Sequence, residues 1–134
     1  MWEKLTENRT SKLLERAMDA SMVRKQLINQ NLANVNTPFY KRLDIDFADA
    51  LNDRISKDEL EMVRTHPMHI GNSQPGLSPI KITRETKTLS RYDTNNIDVE
   101  FEMAQDAQNT LFFQTVTQTW KKRMDGLKKA IEGR

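Results

Sequence analysis

Residues 10–36 carry the pattern that decides the fold: TSKLLERAMDASMVRKQLINQNLANVN. Apolar side chains recur there at alternating spacings of four and three, which places them along one face of a helix. The apolar members of this seam are Leu14, Met18, Ile28, Leu32 and Val35. Polar Ser21 and Lys25 interrupt the seam at its centre. Because proline disfavours a helical conformation at the residue before it, Thr37-Pro38 predicts that the helix ends at Asn36.

A second helix is predicted from Asp98 to Ile131, near the other end of the chain. Its seam residues follow the same spacing: Phe113, Trp120, Met124, Leu127 and Ile131, with Val116 beside them. Acidic residues at its start and basic residues near its end complement the helix dipole. Gly133 follows as a stop signal. At 1.5 Å per residue this helix is roughly 50 Å long.

The middle of the chain carries weaker patterns. Helical turns are predicted from Phe47 to Ile55, and short β segments at Ile80–Thr83 and Lys87–Ser90. Residues 65–79 contain three prolines and two glycines, a composition that is typical of turns and loops. The sequence therefore predicts a mainly α protein. Its two long terminal helices, in residues 1–36 and 97–134, pair as an antiparallel coiled coil, and residues 37–96 form a loop-rich middle with short β segments.

Composition narrows the classes of function. The 134 residues suit one domain, and the net charge of +2 comes from basic residues spread among acidic ones. A nucleic-acid binder clusters its basic residues on one face, so no nucleic-acid partner is predicted. The absence of cysteine excludes disulfides and thiolate metal sites. The first six residues lack the apolar core of a secretory signal, and no apolar run is long enough to span a membrane.

Candidate chemical sites fail on their spacing. His66 and His69 are the only histidines and have no third ligand nearby, whereas a metal site needs three or four. Residues 93–98 resemble a calcium loop in passing, but Ile97 stands where an oxygen ligand is required. No phosphate-binding glycine loop or nucleophile elbow is present. We therefore expect no enzyme activity, cofactor, metal or small-molecule substrate.

Two segments resemble one family. Residues 31–41, NLANVNTPFYK, resemble the signature of flagellar rod and hook proteins, an Asn-apolar-Ala-Asn step followed by Thr-Pro-Gly-Tyr. Residues 95–103, NNIDVEFEM, resemble the Asn-Asn-Val-Asp…Glu-Met that opens the C-terminal helix of the same family. The motif residues that match are Asn31, Ala33, Asn34, Thr37, Pro38, Tyr40, Asn95, Asn96, Asp98, Glu102 and Met103.

Within this family the chain is most similar to the proximal rod members, the B type more than the C type. The short length, residues 65–70 (THPMHI) and the ending LKKAIEGR carry that similarity. The resemblance implies a structural subunit that is exported without a cleaved signal and self-assembles in the periplasm into a helical tube that transmits motor torque. It implies as partners the other proximal rod proteins, the basal-body adaptor protein and the flagellar export gate.

One motif position departs from the family. Phe39 stands where glycine is usual, and glycine allows the positive φ of a type II turn. Either the turn is of another type, or the ring of Phe39 packs against a neighbour. The alternative function, from the seams alone, is a soluble coiled-coil adaptor or chaperone that binds a partner helix. An RNA-binding module rests only on the weakly basic charge.

Overall fold

The computed structural model describes residues 9–57, 79–86 and 94–133. Three helices and two short strands follow one another along these ranges: α1 (Arg9–Ala33), β1 (Leu43–Ile45), α2 (Phe47–Lys57), β2 (Ile82–Arg84) and α3 (Val99–Glu132). The predicted mainly α class with two long helices near the chain ends is confirmed. Within the described ranges, no helix is long and apolar enough to cross a membrane.

The ends of α3 agree with the sequence signals. Asp98 is the N-cap: its backbone is extended, and its side chain accepts the N–H groups of Glu100 at 3.0 Å and Phe101 at 3.4 Å. Gly133 ends the helix in the left-handed conformation, with φ at 68°, and donates its N–H to the carbonyl of Lys129. Both caps satisfy backbone groups that have no partner within the helix.

The end of α1 lies earlier than predicted. The helix stops at Ala33 rather than Asn36, and the next two residues form tighter turns in which Asn34 N–H donates to Asn31 O at 3.0 Å and Val35 N–H to Leu32 O at 3.3 Å. Beyond Ala33, the carbonyls of Asn34, Val35 and Thr37 accept hydrogen bonds from the Asn95 side chain, as described below. The helix has therefore already ended before Pro38.

Phe39 itself takes the left-handed conformation, and its ring does not pack within the single chain. Its φ is 61°, in the left-handed region that a type II turn requires after proline, and its side chain is 75% exposed. The turn is held from both sides, since Tyr40 N–H donates to Thr37 O at 3.4 Å and Asn95 Nδ2 donates to the same carbonyl at 2.9 Å. These bonds keep the glycine-like conformation although phenylalanine adopts it poorly.

The described part of the middle packs on α1. β1 and β2 pair antiparallel, with Leu43 opposite Arg84 and Ile45 opposite Ile82, so the β segment predicted at 80–83 is found one to two residues later. The helical turns expected from Phe47 are confirmed as α2. The segment at 87–90, the loop at 65–78 and both histidines lie outside the described residues.

The hydrophobic core lies between α1 and this middle region. Ala20 and Leu27 of α1 meet Ile45 and Ala50, all at most 5% exposed. Partly buried apolar side chains surround them: Val23, Leu43, Phe47 and Ile80. Two short strands and one helix are too small to be stable alone, so the face of α1 that carries Ala20 and Leu27 supplies the surface on which they fold.

Candidate assembly site

One buried asparagine joins the end of α1 to β1. Asn31 has no exposed surface; its Oδ1 accepts the Leu43 N–H at 3.0 Å, and its Nδ2 donates to the Leu43 carbonyl at 2.9 Å. This pair of bonds is what a neighbouring strand would offer to Leu43. The same Nδ2 donates to Glu102 Oε2 at 3.3 Å. Asn31 therefore connects α1 to both β1 and α3.

Asn95 holds the turn that follows α1. It is fully buried, and its Nδ2 donates to three carbonyls, those of Asn34, Val35 and Thr37, at 2.9 to 3.2 Å. Its Oδ1 accepts the N–H of Ile97 at 2.9 Å. Carbonyls at a helix end need partners, and here a side chain about 60 residues away in sequence provides them.

Asn96 forms hydrogen bonds to the backbone next to both strands. Its Oδ1 accepts the backbone N–H of Arg42 at 2.8 Å, and its Nδ2 donates to the carbonyl of Glu85 at 2.9 Å. Arg42 immediately precedes β1, and Glu85 immediately follows β2. One side chain therefore binds both strands at the same end of the sheet, next to the start of α3.

A buried ion pair completes the arrangement. Arg42 Nε donates to Glu102 Oε1 at 2.5 Å, with side-chain exposures of 9% and 0%. The guanidinium also binds Asp44 at 2.8 Å and Glu85 at 3.1 Å, and lies 5.0 Å from the ring centre of Phe101. Burial alone lowers the pKa of Arg42, but hydrogen bonds to Glu102 and Asp44 outweigh it and raise the pKa, so the cation is retained.

We call Asn31, Arg42, Asn95, Asn96 and Glu102 the polar cluster. All five side chains are buried, and each forms hydrogen bonds to a different part of the chain. A satisfied buried network specifies one arrangement of its elements, because any other arrangement leaves polar groups without partners. The polar cluster thus sets how α1, the strands and α3 meet.

Beyond the polar cluster, α1 and α3 contact each other through polar pairs. Lys25 Nζ binds Asp106 at 2.6 Å, and Asn109 Nδ2 donates to the Ser21 carbonyl at 2.9 Å. Further along, Thr117 Oγ1 lies 3.9 Å from Met18 Sδ. As the contacts proceed towards the N-terminus of α1, their partners proceed towards the C-terminus of α3, so the two helices run antiparallel at these contacts. Of the polar interruptions of the first seam, Lys25 therefore has a side-chain partner across the helix pair, whereas the Ser21 hydroxyl donates to the Ala17 carbonyl of its own helix at 2.8 Å and only the Ser21 backbone carbonyl binds α3.

Comparison with known proteins places the chain in a family. No family model matches the sequence. Flagellar basal body rod protein FlgB of Cereibacter sphaeroides (strain ATCC 17023) is 33% identical over 110 residues, which cover 82% of this chain and 84% of the relative. The chain belongs to the FlgB family of flagellar basal body rod proteins. The FlgB proteins of Bacillus subtilis and Borrelia hermsii are 29% and 31% identical over 90% and 78% of this chain, and over 91% and 82% of their own lengths.

Membership of the FlgB family confirms the prediction of a structural rod protein rather than an enzyme. The motif residues fall into two groups in the structure. Those in the polar cluster are buried. The others surround the turn and the start of α3: Asp98 caps α3, Asn34 and Tyr40 are partly buried, and Ala33, Thr37, Pro38 and Met103 are exposed.

Sequence reasoning missed one central member of this FlgB-family site, Arg42. Its buried side chain contacts three carboxylates. A signal for it was present, because a motif glutamate inside a helix pair needs a cation nearby. Lys41 and Arg42 directly follow the first motif, and only the structure distinguishes them: Lys41 Nζ donates to the Thr94 carbonyl at 2.5 Å instead.

The predicted seam residues lie at different depths. Ile28 and Val116 are buried, Ile131 is 62% exposed, and the others are partly buried: Leu14, Met18, Leu32, Val35, Phe113, Trp120, Met124 and Leu127. The deepest line on α3 consists of Glu102, Asn109 and Val116, which are the buried residues of this helix and lie seven positions apart. Two of these three side chains are polar.

The rest of α3 offers apolar surface to solvent. Large apolar side chains that are at least 40% exposed occur mainly in the first half of the helix, with one near its end: Val99, Phe101, Met103, Leu111, Phe112 and Ile131. Among the residues that the structure describes, no group of three or more potential metal ligands occurs. What this FlgB-family chain presents is thus a polar cluster that holds its elements together and a long helix with uncovered apolar faces.

Proposed function

We propose that this chain is a structural subunit of the proximal rod of the bacterial flagellar basal body, one that self-assembles with the other rod proteins into a helical tube transmitting motor torque. One observation carries the proposal: of the 34 residues of α3, three are buried, while large apolar side chains remain exposed in the first half of the helix and at Ile131. A helix with uncovered apolar faces gains stability when neighbouring subunits cover them.

The inner part of that tube is an antiparallel coiled coil of α1 and α3, in residues 1–36 and 97–134, with residues 37–96 outside it. The opposite order of the contacts Lys25–Asp106 and Met18–Thr117 supports the antiparallel direction. The seven-residue spacing of Glu102, Asn109 and Val116 supports coiled-coil packing. The predicted seam residues face either the partner helix or the next subunit.

The polar cluster suits a part that carries load. A purely apolar helix contact slides between registers at low cost, whereas a buried ion pair with several hydrogen bonds loses its partners when the helices shift. Arg42 and Glu102 therefore keep α3 in register with the strands while force passes along it. A heterologous contact that repeats without closing extends this subunit into a filament.

The family resemblance extends the proposal to location and partners. We place the subunit at the periplasmic base of the rod, next to the other proximal rod proteins, the basal-body adaptor protein and the export gate, after export without a cleaved signal peptide. Electron microscopy of isolated basal bodies, with this chain labelled, tests the location directly. A label on the hook or filament, or no label at all, contradicts the proposal.

Surface variants test the role of α3. Leu111 is 66% exposed, so Leu111→Glu places a charge on the proposed subunit contact without disturbing the packing inside the single chain. We expect cells that carry only this variant to make the protein and to lose swimming. Leu111→Met, which keeps an apolar side chain of similar volume, is the matched control and should swim normally. Normal swimming with Leu111→Glu, and with the equivalent Met103→Glu, would argue against assembly through this face.

A further inference from the structure

The two-stranded sheet has one covered edge and one open edge. On the edge of β1 that faces α1, the side chain of Asn31 binds both the N–H and the carbonyl of Leu43. Arg24 Nη2 also donates to the Ile45 carbonyl on this edge, at 3.0 Å. By contrast, all three residues of β2 are exposed, and Ile82 is 52% exposed although it lies opposite the buried Ile45. The open edge is therefore that of β2.

The hydrogen-bonding groups on the open edge follow from the register of the two strands. Glu85 N–H donates to the Arg42 carbonyl at 2.9 Å, and positions with and without such bonds alternate along an antiparallel pair. The next bonded position is Thr83, so the backbone N–H and carbonyl groups of Ile82 and Arg84 point away from β1. Within the described ranges these groups have no hydrogen-bond partner. Unpaired backbone groups of this kind form a template for another strand.

Opposite charges stand at the two ends of this edge. Lys81 precedes β2 and Glu85 follows it, and the alternation of side chains along a strand places both on the same face as Thr83. Lys81 is exposed and forms no ion pair in the described part of the chain. Glu85 binds Arg42 through Oε2 at 3.1 Å, which leaves Oε1 without a described partner, and its side chain is 38% exposed. The edge therefore begins with an available cation and ends with an available carboxylate oxygen.

We propose that β2 pairs antiparallel with β2 of a second copy of this chain, across a two-fold axis at Thr83. In this register Lys81 of each copy lies opposite Glu85 of the other, so that opposite charges meet at both ends of the contact. Ile82 lies opposite Arg84 of the other copy, and these residues exchange the backbone hydrogen bonds that the open edge offers. The aliphatic stem of Arg84 also covers the exposed side chain of Ile82. The strands of both copies then form one continuous sheet.

Charge complementarity selects this register over the alternatives. A shift of one residue sets outward-pointing backbone groups of one strand against inward-pointing groups of the other, so their hydrogen bonds are lost. With the axis at Arg84, this cation lies opposite its own copy, and like charges directly opposite are destabilising. With the axis at Ile82, Lys81 lies opposite Thr83 and both ion pairs are lost. A parallel pairing in register places Lys81 beside Lys81. The edge is thus self-complementary in one arrangement, and its occupant is a second copy.

This contact differs in kind from the one proposed for the rod. Both copies use the same surface, so the contact is isologous and closes with two copies, whereas a tube needs a contact that repeats without closing. It also uses β2 rather than the exposed apolar side chains of α3. The inference therefore goes beyond the rod function and does not depend on it. Its physical effect is to cover an edge that would otherwise attract other strands.

Disulfide formation tests the contact, because the chain has no cysteine. At the axis, Thr83 faces Thr83 of the other copy as a pair without backbone hydrogen bonds, with Cα atoms about 4.5 Å apart, which a disulfide can span. Under mild oxidation Thr83→Cys should give about tenfold more linked dimer than Thr119→Cys. Thr119 is the matched control, since both threonines are exposed and both hydroxyls donate to a backbone carbonyl. Equal yields would contradict the contact.

Charge variants of the Thr83→Cys chain test the register. Lys81→Glu places a carboxylate opposite Glu85 of the other copy and should lower the yield to that of the control, whereas Lys81→Arg should keep it. Leu111→Glu, which tests the rod contact, should leave the yield unchanged, so the two proposals fail separately. Sedimentation equilibrium of the unmodified chain should show a monomer–dimer equilibrium that Lys81→Glu shifts to monomer. Insensitivity to Lys81→Glu, a lower yield with Leu111→Glu, or an unmodified chain that stays monomeric would each overturn the inference.

Discussion

The buried pair of Arg42 and Glu102 predicts strong and unequal losses of stability. Glu102→Leu removes the carboxylate that accepts from Arg42 Nε and Asn31 Nδ2. Arg42 keeps Asp44 and Glu85 as partners, so we expect a loss of about 3 kcal/mol, the lower end for a broken buried pair. Arg42→Met leaves the fully buried Glu102 with Asn31 as its remaining described partner, and we expect a loss of about 5 kcal/mol, the upper end.

A double-mutant cycle measures the pair itself. Urea unfolding of the monomer, followed by far-UV circular dichroism, gives the free energy of unfolding for both single variants and for the double variant. Because the double variant leaves no buried charge at this position, its loss should be smaller than the sum of the single losses by at least about 2 kcal/mol.

An exposed pair on the same helix serves as control. Lys128 and Glu132 lie 3.9 Å apart with side-chain exposures of 73% and 52%, so removing either should change stability by no more than about 0.5 kcal/mol. If Glu102→Leu costs less than about 1 kcal/mol, or if the two single losses simply add, then the ion pair does not hold the elements together and the reasoning about the polar cluster is wrong.

Three further outcomes follow from the described geometry. Phe39→Gly should be more stable than Phe39→Ala by about 1 kcal/mol in urea unfolding, because both remove the ring but only glycine adopts a φ of 61° freely; equal stabilities would contradict that backbone. The pKa of Tyr40 is raised mainly by burial; the charge of Arg84 opposes the increase and that of Glu102 adds to it. Because the folded-state pKa lies above the unfolded one, the contribution of Tyr40 to stability should be complete below the ordinary tyrosine pKa of about 10 and should fall as the pH rises above that value. Tyr40→Phe removes a buried hydroxyl that has no partner among the described residues. It should cost no stability at pH 7 and should flatten this alkaline loss, as unfolding measured from pH 7 to 11 would show. Amide hydrogen exchange on the monomer should be slower from Glu102 to Val116 than from Lys121 to Glu132, since the buried residues of α3 all lie in the first range; uniform protection along α3 would count against this gradient.

Signals local in sequence predicted the helices well. Gly133 acts where a stop signal was predicted, and Asp98, the predicted first residue of the helix, is its N-cap, because a helix end of this kind depends on the few residues around it. The end of α1 was misplaced because its determinant is Asn95, a side chain distant in sequence whose hydrogen bonds no local pattern contains. A proline was the visible signal, and it stands after the true end of the helix.

The candidate site was harder to predict for a different reason. Apolar periodicity directs attention to residues such as Trp120 and Leu127, whereas the deepest positions of α3 include Glu102 and Asn109. A buried polar residue has the same sequence appearance as a solvated one until its partner is known. The family resemblance indicated Glu102 but not Arg42, and nothing in the residue types showed that Phe39 would keep a conformation suited to glycine.

The wide sequence separation within the polar cluster also bears on when this chain completes its fold. Asn31 and Arg42 cannot form their hydrogen bonds to Glu102 until that residue is available, and it lies 71 and 60 residues further along the chain. A chain that emerges gradually from a ribosome or a narrow pore, N-terminus first, therefore exposes its first half with these polar groups still in water. Closing loops of this length is slow compared with forming a local helix. The emerging chain consequently stays open until nearly all of it is released, and the surfaces that depend on the closed arrangement appear only at the end.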